Sequence, residues 1–204
     1  MTATELPSID MSFELIRSKF HDPEFLNCRG LGGEVPLYIY PYAAKQEDQV
    51  RALTQQLVDD SVRERQTKID APNIVLLDLW NVFIGICEKR GILEKMSALE
   101  EKRGSDHFLQ RMQSRVGPEK YLEFIHDSFI ERYGEPQRGR DVLIITGVGK
   151  IYPFMRAHII LESIQPVFSD IPVVLFYPGI YDGQQLKLFG TIADGNYYRT
   201  FNQL

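Results

Sequence analysis

Asp141-Val-Leu-Ile-Ile-Thr-Gly-Val-Gly-Lys150 reads as a strand, a glycine turn and the opening of a helix. The uninterrupted apolar run Val142 to Ile145 marks a strand buried on both faces, because a half-exposed strand would alternate with polar residues. Three other runs share this character: Val35 to Tyr40, Asn73 to Leu79 and Pro172 to Tyr177. Pro36 places the first at a sheet margin or just inside one, since proline cannot donate to a strand ladder. Between the first two runs, Val50, Leu53, Leu57, Val58 and Val62 recur at helical spacing over Glu47 to Arg65.

Between the second and third strands the pattern is helical: Leu79 to Lys89, Leu93 to Leu99, Asp106 to Val116 and Pro118 to Tyr133. Ser105 reads as a helix cap and Pro118 as a first helical residue, where a missing N–H costs no bond. A further helix is expected from Tyr152 to Phe168, with Pro153 in its first turn. Leu186 to Phe189 and Tyr197 to Phe201 are expected to form a hairpin around Asp194-Gly195. Strands alternating with helices define an α/β fold with a mainly parallel central sheet of about four core strands flanked by helices. It is Rossmann-like or degenerate P-loop-like, with a helical insertion at about residues 80–134 between strands two and three. One domain over residues 1–204 accommodates it.

Composition narrows the function classes. Hydrophobic residues make up 44% and charged residues 25%, as in ordinary globular chains. The net charge of −5 opposes the basic footprint that phosphate backbones require, so direct nucleic-acid binding is disfavoured, and clusters such as Arg111 with Arg115 read as solvated helix faces. No apolar run approaches the ~20 residues of a membrane span, and the first residues lack the pattern of a secretory signal; a cytoplasmic protein is expected. Cys28 and Cys87 read as reduced thiols, with no metal motif and no cofactor implied.

Thr146-Gly-Val-Gly-Lys150 is the segment closest to chemistry, since glycine turns before a helix expose N–H groups that cradle anions. A complete phosphate loop needs a further glycine and a hydroxyl after the lysine; those places hold Ile144 and Ile151, so ATP hydrolysis is not expected. Gly147 and Gly149 then either permit a tight turn or form part of a binding surface. Loops leaving the carboxyl ends of parallel strands lie side by side, which gathers Tyr42, Asn81, Gly147, Gly149, Lys150, Tyr152, Arg156, Tyr181 and Asp182 as candidate ligand- or partner-binding residues. That mixture resembles interface anchors more than a catalytic set, and no catalytic residue is assigned. His158 is a candidate general base or a hydrogen-bonded core histidine. Asp78 is a structural hydrogen-bonding group at its strand end or a metal-holding acid of a nucleotide hydrolase.

Several of these segments together resemble the BrxB proteins of the BREX phage-exclusion systems. The resemblance rests on Gly30-Leu-Gly-Gly-Glu-Val-Pro-Leu-Tyr-Ile-Tyr-Pro-Tyr42, Leu77-Asp-Leu-Trp-Asn-Val-Phe83 and Thr146-Gly-Val-Gly-Lys-Ile-Tyr-Pro-Phe-Met-Arg-Ala-His158. Pro172-Val-Val-Leu-Phe-Tyr-Pro-Gly-Ile-Tyr-Asp-Gly183, Leu186-Lys-Leu-Phe-Gly190 and Asn196-Tyr-Tyr-Arg-Thr-Phe201 continue it. It implies a role in defence against bacteriophage, but no reaction. The expected function is a non-catalytic assembly component that binds other BREX proteins, first the phosphatase-like PglZ and next the ATPase BrxC. The alternative is a nucleotide-binding or nucleotide-hydrolysing enzyme with a degenerate loop.

Overall fold

The computed structural model describes residues 8–29, 36–164, 166–182, 185–196 and 202–204. Ahead of the sheet come helices α1 (Ile9–Phe20) and α2 (Pro23–Leu26). Strand β1 (Leu37–Tyr42) then leads through α3 (Glu47–Arg65) to β2 (Asn73–Asp78). The insertion supplies α4 (Leu79–Lys89), α5 (Met96–Arg103), α6 (Ser105–Arg115) and α7 (Pro118–Tyr133) before β3 (Asp141–Thr146). Short α8 (Val148–Ile151) and α9 (Ala157–Ile164) return the chain to β4 (Val173–Tyr181). The chain closes with β5 (Gln185–Leu188), β6 (Ile192–Asn196) and β7 (Asn202–Gln203).

The sheet order is β2-β3-β4-β1-β7, with β5 and β6 extending from β4. These five strands are mutually parallel, and β4, β5 and β6 pair antiparallel, so the sheet as a whole is mixed. The crossover from β1 to β2 passes two strands in one direction, while β2 to β3 to β4 returns in the other. Right-handed crossovers therefore place α3 on one face and α4 through α9 on the opposite face.

The side chains follow this division. Tyr38, Tyr40, Tyr42, Val142, Ile144, Val174 and Phe176 meet α1, α2 and α3. Leu37, Ile39, Leu143, Ile145, Val173, Leu175 and Tyr177 meet the insertion and α9. Strict alternation along each strand feeds two apolar cores, which explains why the strands read as continuous apolar runs.

Several sequence expectations are corrected. The first strand runs to Tyr42 and includes Pro41, and Val35 lies outside the described residues. In agreement with the reading of Pro36, β1 lies just inside a sheet margin, one strand in from β7. On α3 the buried face is Val50, Thr54, Leu57 and Ser61, while Val62 is 53% exposed. Ser61 draws this face inward, its Oγ donating to the Pro72 carbonyl at 2.7 Å and accepting from the Ile74 N–H at 3.1 Å. Gly104, at φ 82°, takes the cap position between α5 and α6, and Ser105 instead donates to Glu100.

The helix expected from Tyr152 begins only at Ala157. Tyr152 precedes a proline, which disfavours helical backbone there, and its φ of −64° and ψ of 134° are extended. The hairpin turns at Phe189-Gly190, with Leu188 opposite Ile192; Asp194 and Gly195 lie within β6, and Tyr197 to Phe201 are outside the described residues. Among the described residues no helix is long and apolar enough to cross a membrane.

Candidate functional site

In open α/β sheets the carboxyl edge is the usual ligand site, and the crevice opens where neighbouring crossovers diverge to opposite faces. Here that place lies where the exit of β1, toward α3, parts from the exit of β3, toward α8 and α9. Tyr42, Asp78, Thr146 and Lys150 line it. Its free volume is about 20 Å³, room for about one water and far below the ~300 Å³ of a small-molecule pocket.

Two of the chain's own side chains account for the closure. Asp78 caps α4, accepting from the backbone N–H groups of Trp80 at 3.0 Å and Asn81 at 3.1 Å. Its other oxygen accepts from Lys150 Nζ at 2.9 Å. Gly147 adopts φ 82°, and a Cβ there would lie 3.0 Å from the Asp78 carboxylate. The acid therefore covers the first glycine with negative charge, where an anion-binding loop needs positive potential. Over the second glycine lies a ring: a Cβ on Gly149 would be 3.0 Å from Phe189 and 3.3 Å from Pro178. The loop is a seat for the chain's own aromatic residue.

Phe189 occupies the tip of the β5–β6 hairpin at φ 55°, beside Gly190 at φ 77°. Left-handed backbone costs a non-glycine residue roughly 1–2 kcal/mol, and the cost is unusual for a bulky side chain. The tip is held by the Phe189 N–H donating to the Pro178 carbonyl at 2.8 Å. Gly179 is required beneath it, because a Cβ there would lie 2.2 Å from the Lys187 carbonyl oxygen. Phe189 is 44% and Ile180 is 54% exposed, and Ile180 lies against Gly190. Together they form an apolar knob beside the Asp78–Lys150 ion pair.

The residues singled out in the sequence divide by burial. Tyr42 is buried and its hydroxyl donates to Glu47 at 2.6 Å; burial, then that bond, pushes its phenol far up. Tyr181 is buried at the end of β4, paired with Leu186. Both tyrosines line a hollow of about 440 Å³ beside α1, and neither projects as an interface anchor would. Asn81 is exposed on the first turn of α4, and Asp182 accepts from the Gln185 N–H at 2.7 Å. Arg156 stacks over Tyr152 at 5.0 Å and donates to the Ala193 carbonyl at 3.0 Å, tying the loop before α9 to β6.

Sequence reasoning missed the pin behind that tie. Asp194 is buried, and its Oδ2 accepts from the Ala157 N–H at 3.3 Å and the Tyr177 hydroxyl at 3.4 Å. Its Oδ1 lies 3.8 Å from both Arg156 Nη1 and His158 Nδ1. His158 thus faces a buried carboxylate. The two cysteines are not in a disulfide; Cys87 is buried and Cys28 donates weakly to the Asp170 carbonyl.

The comparisons with known proteins agree with one another. The family described as BREX protein BrxB matches residues 75–203. A BREX protein BrxB of Bacillus cereus (strain H3081.97) is 34% identical over 193 residues, covering 95% of this chain and 96% of the relative. A BREX protein BrxB of Escherichia coli O9:H4 (strain HS) is 26% identical over 195 residues, covering 96% and 91% respectively. No solved structure matches the chain.

Proposed function

The chain belongs to the BrxB family of BREX proteins, and on that premise we propose that it is a non-catalytic assembly component of a BREX anti-phage system, docking other BREX proteins through the carboxyl edge of its sheet. The observation that carries the reading is the occupied glycine loop. Asp78 lies over Gly147 and Phe189 over Gly149, and this crowding of the loop by the chain's own side chains supports a docking role over a nucleotide site. The same hairpin that closes the loop exposes Phe189 and Ile180. Phenylalanine is among the aromatic residues enriched at the cores of protein interfaces.

The partners proposed are the phosphatase-like PglZ first and the ATPase BrxC second. The test is co-purification and titration of the full chain with each. Ile180→Asp and Phe189→Asp are expected to weaken binding at least about tenfold, since a charge cannot enter a desolvated socket without loss. Ile69→Asp is the control, because Ile69 is 96% exposed elsewhere on the chain. Binding lost in Ile69→Asp but kept in both hairpin variants would move the interface off this edge. ATP and magnesium titrated in parallel should give no saturable binding. Turnover that vanishes in Lys150→Ala would establish the nucleotide-enzyme reading instead.

A further inference from the structure

The inserted helices carry a second recognisable surface, a cleft of about 140 Å³ between α4 and α7. Ile86 and Phe124 form its floor, with Lys89, Arg90, Lys120 and Glu123 around the rim. The floor exists because Gly85 has no side chain: a Cβ there would lie 2.4 Å from the tip of the Phe124 ring.

Two ion pairs line the rim. Lys120 Nζ lies 2.7 Å from Glu123 Oε2, and Lys89 Nζ lies 3.6 Å from Asp127 Oδ2. The hydrogen bond from Lys120, then the charges of Lys120, Lys89 and Arg90, hold the Glu123 carboxyl below its ordinary range. Arg90 itself is oriented by donating to the Arg115 carbonyl at 2.6 Å. The rim therefore carries three cations against the Glu123 carboxylate, with Asp127 beside Lys89, above an apolar floor, in a chain whose net charge is −5.

We propose that this cleft docks an acidic peptide segment of a protein partner, with an apolar side chain on Ile86 and Phe124 and a carboxylate displacing Glu123 from Lys120, on a rim shared with Lys89 and Arg90. A peptide fits better than a nucleic acid. Glu123 and Asp127 interrupt the positive strip that a continuous phosphate chain would follow, and Phe124 alone offers a stacking face. The cleft is separate from the hairpin knob. α4 begins at the carboxyl edge and runs 11 residues, about 16 Å at 1.5 Å per residue, so Lys89 and Arg90 stand at its far end.

The probe is a labelled hexapeptide, Glu-Glu-Leu-Phe-Glu-Glu, titrated against the full chain by fluorescence anisotropy at about 50 mM salt, where surface charges are weakly screened. Its glutamine counterpart and a short single-stranded DNA serve as competitors for the reading. The acidic peptide should bind at least about tenfold more tightly than the glutamine peptide. Lys89→Glu and Lys120→Glu should each weaken it about three- to tenfold, and Glu123→Gln should strengthen it about threefold by removing the resident carboxylate. Glu123→Gln is a surface change, so the test survives if a charge reversal fails to fold.

Equal binding of the two peptides, unchanged or weaker binding in Glu123→Gln, or DNA bound more tightly than peptide and lost in Lys89→Glu would each overturn the proposal. Phe189→Asp should leave peptide binding unchanged, so failure here and failure of the hairpin reading are distinguished.

Discussion

Asp194 is 1% exposed, and its surroundings pull in opposite directions. Burial pushes its carboxyl up; the Ala157 N–H, the charges of His158 and Arg156, and the Tyr177 hydroxyl pull it down without prevailing. A carboxyl that binds its proton more tightly folded than unfolded contributes stability below its unfolded value, and that contribution is lost as pH rises through the folded value. The charged form therefore carries a cost at neutral pH. Asparagine at this position keeps the acceptor for Ala157 and removes the titration. We expect the stability of Asp194→Asn relative to wild type to increase from about pH 4 to pH 7. Urea unfolding across that range checks it, and a relative stability that falls with pH would show that the Arg156 and His158 contacts outweigh burial.

At the scale of elements, the hairpin is the unit that both closes the loop and presents the knob. Its attachment depends on Gly179, since a Cβ would lie 2.2 Å from the Lys187 carbonyl oxygen, a backbone atom that cannot swing aside. Gly179→Ala should separate β5 from β4. Amide exchange in Gln185–Leu188 and Ile192–Asn196 should then accelerate by at least about tenfold while β3 stays protected. Uniform loss of protection would instead mean that the hairpin is part of the global folding unit.

The elements also mark how far the sequence could be read. Strands buried on both faces announce themselves in composition, and α4 and α7 match their apolar and proline signals to the residue. The buried face of α3 was hidden because Ser61 and Thr54 turn inward on hydrogen bonds to backbone carbonyls. Asp194-Gly195 carries a strong turn signal, yet tertiary burial of the acid overrides it. That Gly147, Gly149 and Lys150 stand together at the carboxyl end of β3 was legible by position. Phe189 was not, because turn chemistry gives no reason to expect an aromatic residue at positive φ.

For the whole molecule, the two surfaces differ in the physics of what they would bind. The hairpin knob offers Phe189 and Ile180, apolar groups whose burial is insensitive to ionic strength at moderate salt. The α4–α7 cleft offers Lys89, Arg90 and Lys120, exposed charges whose attraction is screened as the Debye length shrinks from about 10 Å at 0.1 M toward 3 Å at 1 M. A bridging component with one partner on each surface would then release them in a fixed order. Raising sodium chloride from about 0.05 to 0.5 M should release the cleft-bound partner while the hairpin-bound partner stays. Lys89→Glu should reproduce the first loss at low salt, and Ile180→Asp should remove only the second partner. Graded-salt elution from immobilised wild type and the two variants measures this directly. Co-elution of both partners at one salt concentration, or loss of both from a single substitution, would mean one continuous interface in place of two.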